Sequence, residues 1–104
     1  MSVLLEFSMF PTDKGESVSD YVSQVIGMID NSGVSYKLTA MGTIIETETV
    51  AEALTIVEEA ANILDEMACR RIYSSLKMDI RKGKGGRLGA KIDSIREKIG
   101  DVNT

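Results

Sequence analysis

The chain lacks histidine altogether, has one cysteine and one proline in 104 residues, and only 5% of its residues are aromatic. Histidine is the side chain most often used in general acid–base catalysis, so the commonest catalytic group is missing. The single cysteine, Cys69, cannot form an internal disulfide, which agrees with a reducing compartment, and the lack of paired cysteines argues against a soft-metal site. We therefore expect a protein that is not an enzyme and has no cofactor.

Membrane and nucleic-acid partners are also disfavoured. No apolar run approaches the roughly 18 residues that span a bilayer, and the first residues lack the basic and apolar regions of a signal peptide. We therefore expect a cytoplasmic location and no membrane partner. A pI near 4.8 argues against general nucleic-acid binding. An RNA-binding sheet would also need several stacking aromatics, whereas Tyr73 is the only one on the exposed side of the last predicted strand.

Charge is unevenly distributed along the chain. Residues 1–69 contain two Lys/Arg and twelve Asp/Glu, whereas residues 70–104 contain ten Lys/Arg and four Asp/Glu. Segments of opposite sign attract each other, either within one subunit or between subunits. The basic segment Arg81–Arg87 lacks the spacing of a P-loop, so a mobile, solvated loop is favoured there over a phosphate site.

Apolar spacing predicts one α+β domain over residues 1–104. Two-residue alternation is typical of strands, and three- or four-residue spacing is typical of amphipathic helices. The predicted elements are a strand at 2–9, a helix capped by Ser17 or Ser19 and ended by Gly33, a hairpin of Val34–Ala40 and Thr43–Thr47, a helix capped by Thr49, a strand at 70–80 and a helix at 89–99. This is the order of a ferredoxin-like βαββαβ sandwich with an extra C-terminal helix, in which both main helices cover one sheet face and leave the other open.

The same patterns predict local contacts. A two-residue turn at Met41–Gly42 would pair Ala40 with Thr43 and Leu38 with Ile45. The second helix would bury an apolar stripe of Val50, Ala53, Leu54, Val57, Ala60, Ala61 and Leu64. The last helix would turn Leu88, Ile92, Ile95 and Ile99 inward.

The open sheet face combines carboxylates, hydroxyls and apolar groups. Its predicted members include Glu6, Ser8, Lys37, Thr39, Ile44, Glu46, Tyr73, Ser75, Lys77 and Asp79. Such a surface can desolvate a flat heteroaromatic molecule while pairing its charge and its amines. An uncovered face should be polar in any case, with Lys77 paired to a nearby carboxylate, so both interpretations stay open.

The hairpin Val34–Glu46 resembles that of a family of small thiamine-binding proteins with a ferredoxin-like fold. The family pattern is approximately Gly-Val-x-Tyr followed by Met-Gly-Thr-x-x-Glu, which Gly33 to Tyr36 and Met41 to Glu46 match. The strand Arg70–Arg81 is similar to the family's last strand, where a hydroxyl, a lysine and an aspartate alternate. The likeness extends over residues 2–99.

The resemblance implies binding of thiamine or its hydroxymethylpyrimidine precursor without turnover, by a homodimer that joins sheets and by a homotetramer. The ligand-binding residues that it implies are Met41, Thr43, Glu46, Ser75, Lys77 and Asp79. Glu46 could accept the exocyclic amine of the pyrimidine, and Thr43 or Ser75 could complete the hydrogen bonds. Lys77 would repel the cationic thiazolium, so it would pair with a carboxylate or with a phosphate of the ligand.

Two other classes of function compete with ligand binding. One is an oligomeric regulatory or interaction module whose open sheet face serves only as a subunit interface. The other is an acylphosphatase-like hydrolase of the same architecture. That chemistry needs a phosphate-cradling loop with an arginine and an asparagine early in the chain, and residues 11–20 contain neither.

Overall fold

A computed structural model of the chain describes every residue from Met1 to Thr104. Its elements are β1 (Ser2–Pro11), α1 (Ser19–Ser32), β2 (Ser35–Thr39), β3 (Gly42–Thr47), α2 (Val50–Glu66), β4 (Ile72–Arg81) and α3 (Ala90–Ile99). The four strands form one sheet in the order β2-β3-β1-β4, and all neighbouring strands are antiparallel. The predicted α+β fold with an extra C-terminal helix is confirmed.

The core lies between the sheet and the helices α1 and α2. Alternation along β1 buries Val3, Leu5, Phe7 and Met9 against the helices, as predicted. The largest contributions from the helices and from β3 are the fully buried Ile29, Ile45 and Leu64. Glu6 and its alternate neighbours point to the other side of the sheet, which neither α1 nor α2 covers.

The first helix starts without the predicted side-chain cap. Val18 occupies the N-cap position and makes no capping hydrogen bond, so the expected caps Ser17 and Ser19 were wrong. The helix end was predicted correctly, because Gly33 adopts a left-handed conformation at φ 80°. Serine at a cap is a preference rather than a requirement, and here packing of the apolar face fixes where α1 starts.

The hairpin turn lies one residue earlier than predicted. Ala40 and Met41 form it, and Gly42 already belongs to β3. Thr39 accounts for the position of the turn, because its hydroxyl oxygen accepts the backbone N–H groups of Met41 and Gly42 at 3.2 Å each. The same hydroxyl donates to the Gly42 carbonyl at 2.8 Å. A side chain therefore closes this turn.

The pairing of the hairpin strands changes accordingly. Leu38 pairs with Thr43 rather than with Ile45, and the predicted pairing of Ala40 with Thr43 was wrong. A change of two positions keeps each side chain on its original face, whereas a change of one would reverse the faces. The predicted face assignment of the hairpin is therefore confirmed.

Helix α2 begins as predicted but is rotated relative to the predicted stripe. Thr49 accepts the Glu52 backbone N–H at 3.1 Å, which confirms the cap. Leu54, expected inside, is 46% exposed, whereas Ile56 is buried although the stripe omitted it. The buried face runs through Ala53, Ile56, Ala60 and Leu64. Small residues at two of these positions let the helix lie close to the sheet.

Helix α3 does not pack as predicted. It has no buried residue, and Ile99, expected to face inward, is 72% exposed. The molecule measures 46 × 29 × 22 Å and has a radius of gyration of 15.0 Å. A compact domain of this length would have a radius of gyration of about 13 Å. The helix therefore projects from the body of the domain instead of covering it.

Candidate functional site

The six residues that the sequence predicts as ligand-binding lie in three separate places. Met41 and Thr43 lie at the hairpin end of the sheet, where they line a cleft. Ser75 and Lys77 lie along the open face of β4. Glu46 and Asp79 lie at the opposite end of the sheet, where both contact Arg87. Three residues along a strand span about 10 Å, so Thr43 and Glu46 do not form one compact site.

The first of these places is a cleft of about 380 Å³, here called the hairpin cleft. It is bounded by the C-terminal part of β1, the first half of α1 and the tip of the β2–β3 hairpin, and ten of its 14 lining residues are hydrophobic. The lining includes Phe7, Phe10, Val22, Ile26, Leu38 and Met41. None of the lining residues is ionisable. A cleft of this size and polarity is typical of a site for a small, largely apolar ligand.

The polar side chains that line the hairpin cleft are Ser8 of β1 and two threonines on adjacent strands of the hairpin. The Thr39 hydroxyl is engaged in the turn. Thr43 is only 5% exposed, between Phe7 and Leu38 of the neighbouring strands, and no fully buried side-chain polar atom in the chain lacks a partner. Its hydroxyl makes no hydrogen bond within the chain and is reached from the cleft. It can therefore donate to or accept from a bound molecule.

Gly42 holds the hairpin close to β1 beside this cleft. A Cβ atom at this position would lie 3.0 Å from the Phe7 carbonyl oxygen, which is tighter than ordinary van der Waals contact. The family-like Met-Gly-Thr segment thus has a steric reason for its central glycine. Met41 and Thr43 are the residues on either side of this glycine in the chain.

The second place is a network around Arg87, here called the Arg87 clamp. The guanidinium donates to the Ser2 hydroxyl at 3.1 Å and to the Ser2 carbonyl at 2.8 Å. It also donates to the carboxylate and to the carbonyl of Asp79, each at 2.8 Å. The Arg87 side chain is 7% exposed, whereas that of Asp79 is 71% exposed. The clamp therefore fixes the segment between β4 and α3 to the first residues of β1.

Glu46 completes the clamp from β3. One of its carboxylate oxygens accepts the Ser2 hydroxyl at 2.5 Å and the Arg87 N–H at 3.0 Å, and the other accepts the Leu88 N–H at 3.1 Å. Burial raises the pKa of Glu46, but the hydrogen bonds from Ser2, Arg87 and Leu88 outweigh it and hold the pKa below its ordinary value of 4.5. The carboxylate is therefore charged at neutral pH and already has internal donors.

The sequence prediction of a solvated loop over Arg81–Arg87 was wrong for its last residue. Arg87 is 8% exposed and is one of four buried polar or charged residues in the chain. Its sequence neighbours are glycines and lysines, so no local pattern separates Arg87 from the exposed basic residues before it. The only available indication was the opposite charge of Glu46 and Asp79, which were predicted to bind a ligand.

The third place is the middle of the open sheet face. Ser75 pairs with Ser8 across the β1–β4 ladder, and Lys77 pairs with Glu6. The Lys77 ammonium lies 3.5 Å from the Glu6 carboxylate, and the two side chains are 82% and 51% exposed. An ion pair this exposed contributes little to stability. This part of the face is solvated, and none of the three main clefts includes Ser75 or Lys77.

A second cleft of about 420 Å³ adjoins the clamp and is acidic. Glu46, Glu48 and Glu52 line it beside Gly85 and Gly86 of the loop that precedes Arg87. No group of three or more His, Cys, Asp or Glu residues in the chain is arranged to hold a metal ion. No helix is both long and apolar enough to cross a membrane.

Comparisons with known proteins assign the chain to one family. The sequence profile of a family described as thiamine-binding protein matches residues 5–96. The UPF0045 protein Mb1933 of Mycobacterium bovis is 33% identical over 99 residues, which cover 95% of this chain and 96% of the relative. The resemblance inferred from the hairpin and the last strand is therefore confirmed.

Solved structures agree with this assignment. The crystal structure of the protein MJ1052 from Methanocaldococcus jannaschii superposes with a TM-score of 0.78 at 35% identity, covering 92% of this chain and 97% of that one. A domain of unknown function from Bacillus cereus superposes with a TM-score of 0.80 at 26% identity, covering 94% and 93%. Both matches support the sheet order and the helix placement described above.

Proposed function

Because the chain belongs to the thiamine-binding protein family, we propose that it binds thiamine or its hydroxymethylpyrimidine precursor in the cytoplasm without converting it. The observation that carries this proposal is the hairpin cleft. The family-like residues Met41 and Thr43 both line it. The absence of histidine from the sequence supports binding without turnover.

The lining of the hairpin cleft favours one half of thiamine over the other. Thiamine joins an uncharged aminopyrimidine to a cationic thiazolium ring. A cleft without any ionisable side chain cannot compensate the desolvation of a permanent cation, whereas it can bury a neutral aromatic ring. We place the pyrimidine in the cleft against Phe10 and Met41, with the thiazolium at the mouth in contact with water.

Thr43 is the polar group that would orient the pyrimidine. Thr43 lines the cleft, and its hydroxyl can pair with a ring nitrogen or with the exocyclic amine. Glu46 was predicted for this task, but its carboxylate oxygens already accept three internal hydrogen bonds. A ligand at Glu46 would have to break the Arg87 clamp, so a role of Glu46 and Asp79 in ligand binding stays a prediction that competes with this one.

Calorimetric titration tests the proposal. The ligands are hydroxymethylpyrimidine, thiamine and thiamine phosphates, and we expect heat from the first two. Replacing the Thr43 hydroxyl by a methyl group in Thr43→Val should weaken binding roughly tenfold. Thr55→Val is the matched control, because Thr55 lies on the exposed face of α2. No heat and no thermal shift with either ligand at millimolar concentration would exclude the function.

We also propose that the chain works as a homo-oligomer, a homodimer or a homotetramer. Exposed apolar side chains on β4 and α3 support this, because single copies of soluble domains seldom leave several such groups together in water. The competing function is an interaction module that binds no small molecule. Light scattering coupled to size exclusion gives the oligomeric state, and the titration above separates the two functions.

A further inference from the structure

An apolar stripe runs into helix α3, and its C-terminal half is not covered by the chain itself, whereas Leu88 and Ile92 are half-buried. Leu88, Ile92, Ile95 and Ile99 follow one another at spacings of four, three and four residues, which places them on one side of the helix. Ile95 and Ile99 are nevertheless 37% and 72% exposed. The Arg87 clamp fixes the residues just before this helix.

Charged residues of α3 are sorted around this stripe. At 100° per residue, Lys91 and Lys98 flank it on one side and Arg96 on the other. The two acidic residues, Asp93 and Glu97, lie on the opposite side of the helix. The exposed apolar face therefore has a basic border on both sides, and a partner surface that fits it should be apolar with acidic borders.

The body of the domain presents one surface of that kind, between α2 and β4. Leu76 and Ile80 pair with the buried Phe7 and Val3, so they lie on the helix side of the sheet, yet they are 45% and 50% exposed. β4 is the outermost strand on this side, and the helical layer leaves these two side chains uncovered. They form the floor of what we call the α2–β4 groove.

Helix α2 forms the wall of the α2–β4 groove. The right-handed crossover from β3 to β4 places α2 on the β4 side of the helical layer. Leu54 is 46% exposed and shares a helix face with the partly buried Val57 and Ala61. Glu58 and Asp65 continue this face outward and are exposed. Helix α2 carries five carboxylates and no basic residue, namely Glu52, Glu58, Glu59, Asp65 and Glu66.

We infer that the α2–β4 groove binds helix α3 of a second copy of the chain, with Ile95 and Ile99 against Leu54, Leu76 and Ile80. The acidic border of the groove then faces the basic border of the helix. The acidic residues of segment 1–69 in one subunit then lie near the basic residues of segment 70–104 in the other. This inference names an interface for the proposed oligomer and does not depend on the identity of the ligand.

Charge reversal with compensation tests the inference in the full-length chain. Lys91→Glu with Lys98→Glu should raise the dissociation constant of the oligomer about tenfold or more in sedimentation equilibrium at low salt. Adding Glu58→Lys and Asp65→Lys to the same chain should restore association to within about threefold of the original. All four residues are exposed, and circular dichroism checks that each variant is folded.

Disulfide trapping gives a second measurement that does not depend on charge. A copy carrying Ile95→Cys is mixed with a copy carrying Leu54→Cys and oxidised, and we expect a covalent heterodimer. The native Cys69 is buried and is the only other thiol. Replacing Leu54→Cys by Gln24→Cys, at an exposed position on α1, is the matched control and should give no such product.

Each outcome of these experiments has a defined meaning. If the unmodified chain is a monomer at about 200 µM, both the oligomer and this interface are excluded. If it associates and the reversal of Lys91 and Lys98 has no effect, the oligomer stands and α3 is not in its interface. If the compensated variant does not recover, or the trapped product forms equally with the α1 control, the α2–β4 groove is not the binding surface.

Discussion

Replacing Arg87 by methionine should detach α3 from the domain and lower its stability by about 2–3 kcal/mol. The two hydrogen bonds to Ser2 and the one to the Asp79 carbonyl are each worth about 1 kcal/mol net. The bond to the Asp79 carboxylate adds less than about 1 kcal/mol, because that side chain is 71% exposed and screened by water. Part of this lost free energy is offset, because Arg87→Met removes a cation from a buried site and reduces the cost of ordering the side chain.

Urea denaturation measures this effect. With a slope of about 1.5 kcal/mol per molar urea for a domain of this size, the midpoint should fall by roughly 1–2 M without a change in slope. Arg81→Met is the matched control, because Arg81 is exposed on β4 and makes no ion pair, and its change should stay within about 0.5 kcal/mol.

Hydrogen exchange locates the effect of Arg87→Met. The N–H groups of residues 87 and 88 donate to Glu46, so their exchange should accelerate by far more than that of the β1 amides. If Arg87→Met is as stable as Arg81→Met, or if the amides at 87 and 88 keep their protection, then the clamp does not hold α3 and this reasoning is wrong.

Three further predictions concern the fold around the candidate site. Glu46→Gln should reduce the dependence of stability on pH between pH 7 and pH 3. Because the folded-state pKa of Glu46 is lowered, its contribution to the free energy of unfolding is full above its ordinary pKa and is lost as the pH falls through the folded-state pKa. Thermal melts over this pH range measure the effect. Gly42→Ala should destabilise by about 1 kcal/mol, since its Cβ would meet the Phe7 carbonyl, whereas Gly27→Ala, with open space around it in α1, should stabilise by about 0.5–1 kcal/mol in urea titrations. Leu5→Ala should cost about 2–5 kcal/mol in the same assay because the side chain is fully buried, and a loss below 1 kcal/mol would contradict the assigned core.

Periodicity was sufficient for the architecture because burial on one face repeats along β1, α1 and α2. Alternation on β1 and the helical stripe of α1 both depend on neighbours a few residues apart, which a single sequence displays directly. The rotation of α2 was missed because Leu54 and Ile56 are equally apolar. Which of them is buried depends on how the helix lies against β1, and that is a tertiary contact.

The hairpin turn was predicted one residue too late because the preference of glycine for turns did not apply at Gly42. A glycine at position 42 suggests a turn residue, because glycine is favoured where φ is positive. Here Gly42 has no positive φ and is needed inside β3, where β1 approaches too closely for a Cβ atom. The competing hydrogen bonds of Thr39 then fix the turn one residue earlier, at Ala40 and Met41.

Glu46 and Asp79 show why a candidate site is harder to predict than a fold. Both were predicted as ligand-binding residues, but both contact Arg87 of the same chain. The guanidinium donates to the Asp79 carboxylate, and the Arg87 backbone N–H donates to the Glu46 carboxylate. Arg87 lies 41 positions from Glu46 and 8 positions from Asp79. Sequence alone does not indicate that these residues meet, because both contacts depend on the tertiary structure.

The two ends of the sheet therefore have different chemistry, and this difference decides between the candidate sites. At the clamp, a buried cation and a carboxylate satisfy each other, so a ligand that binds there must first replace several charge-assisted hydrogen bonds. At the hairpin cleft, the Thr43 hydroxyl has no partner within the chain, and most of the surrounding side chains are apolar. We therefore propose the hairpin end as the ligand site, because a small aromatic molecule enters it without breaking an internal hydrogen bond, whereas the clamp fixes the segment that leads into α3.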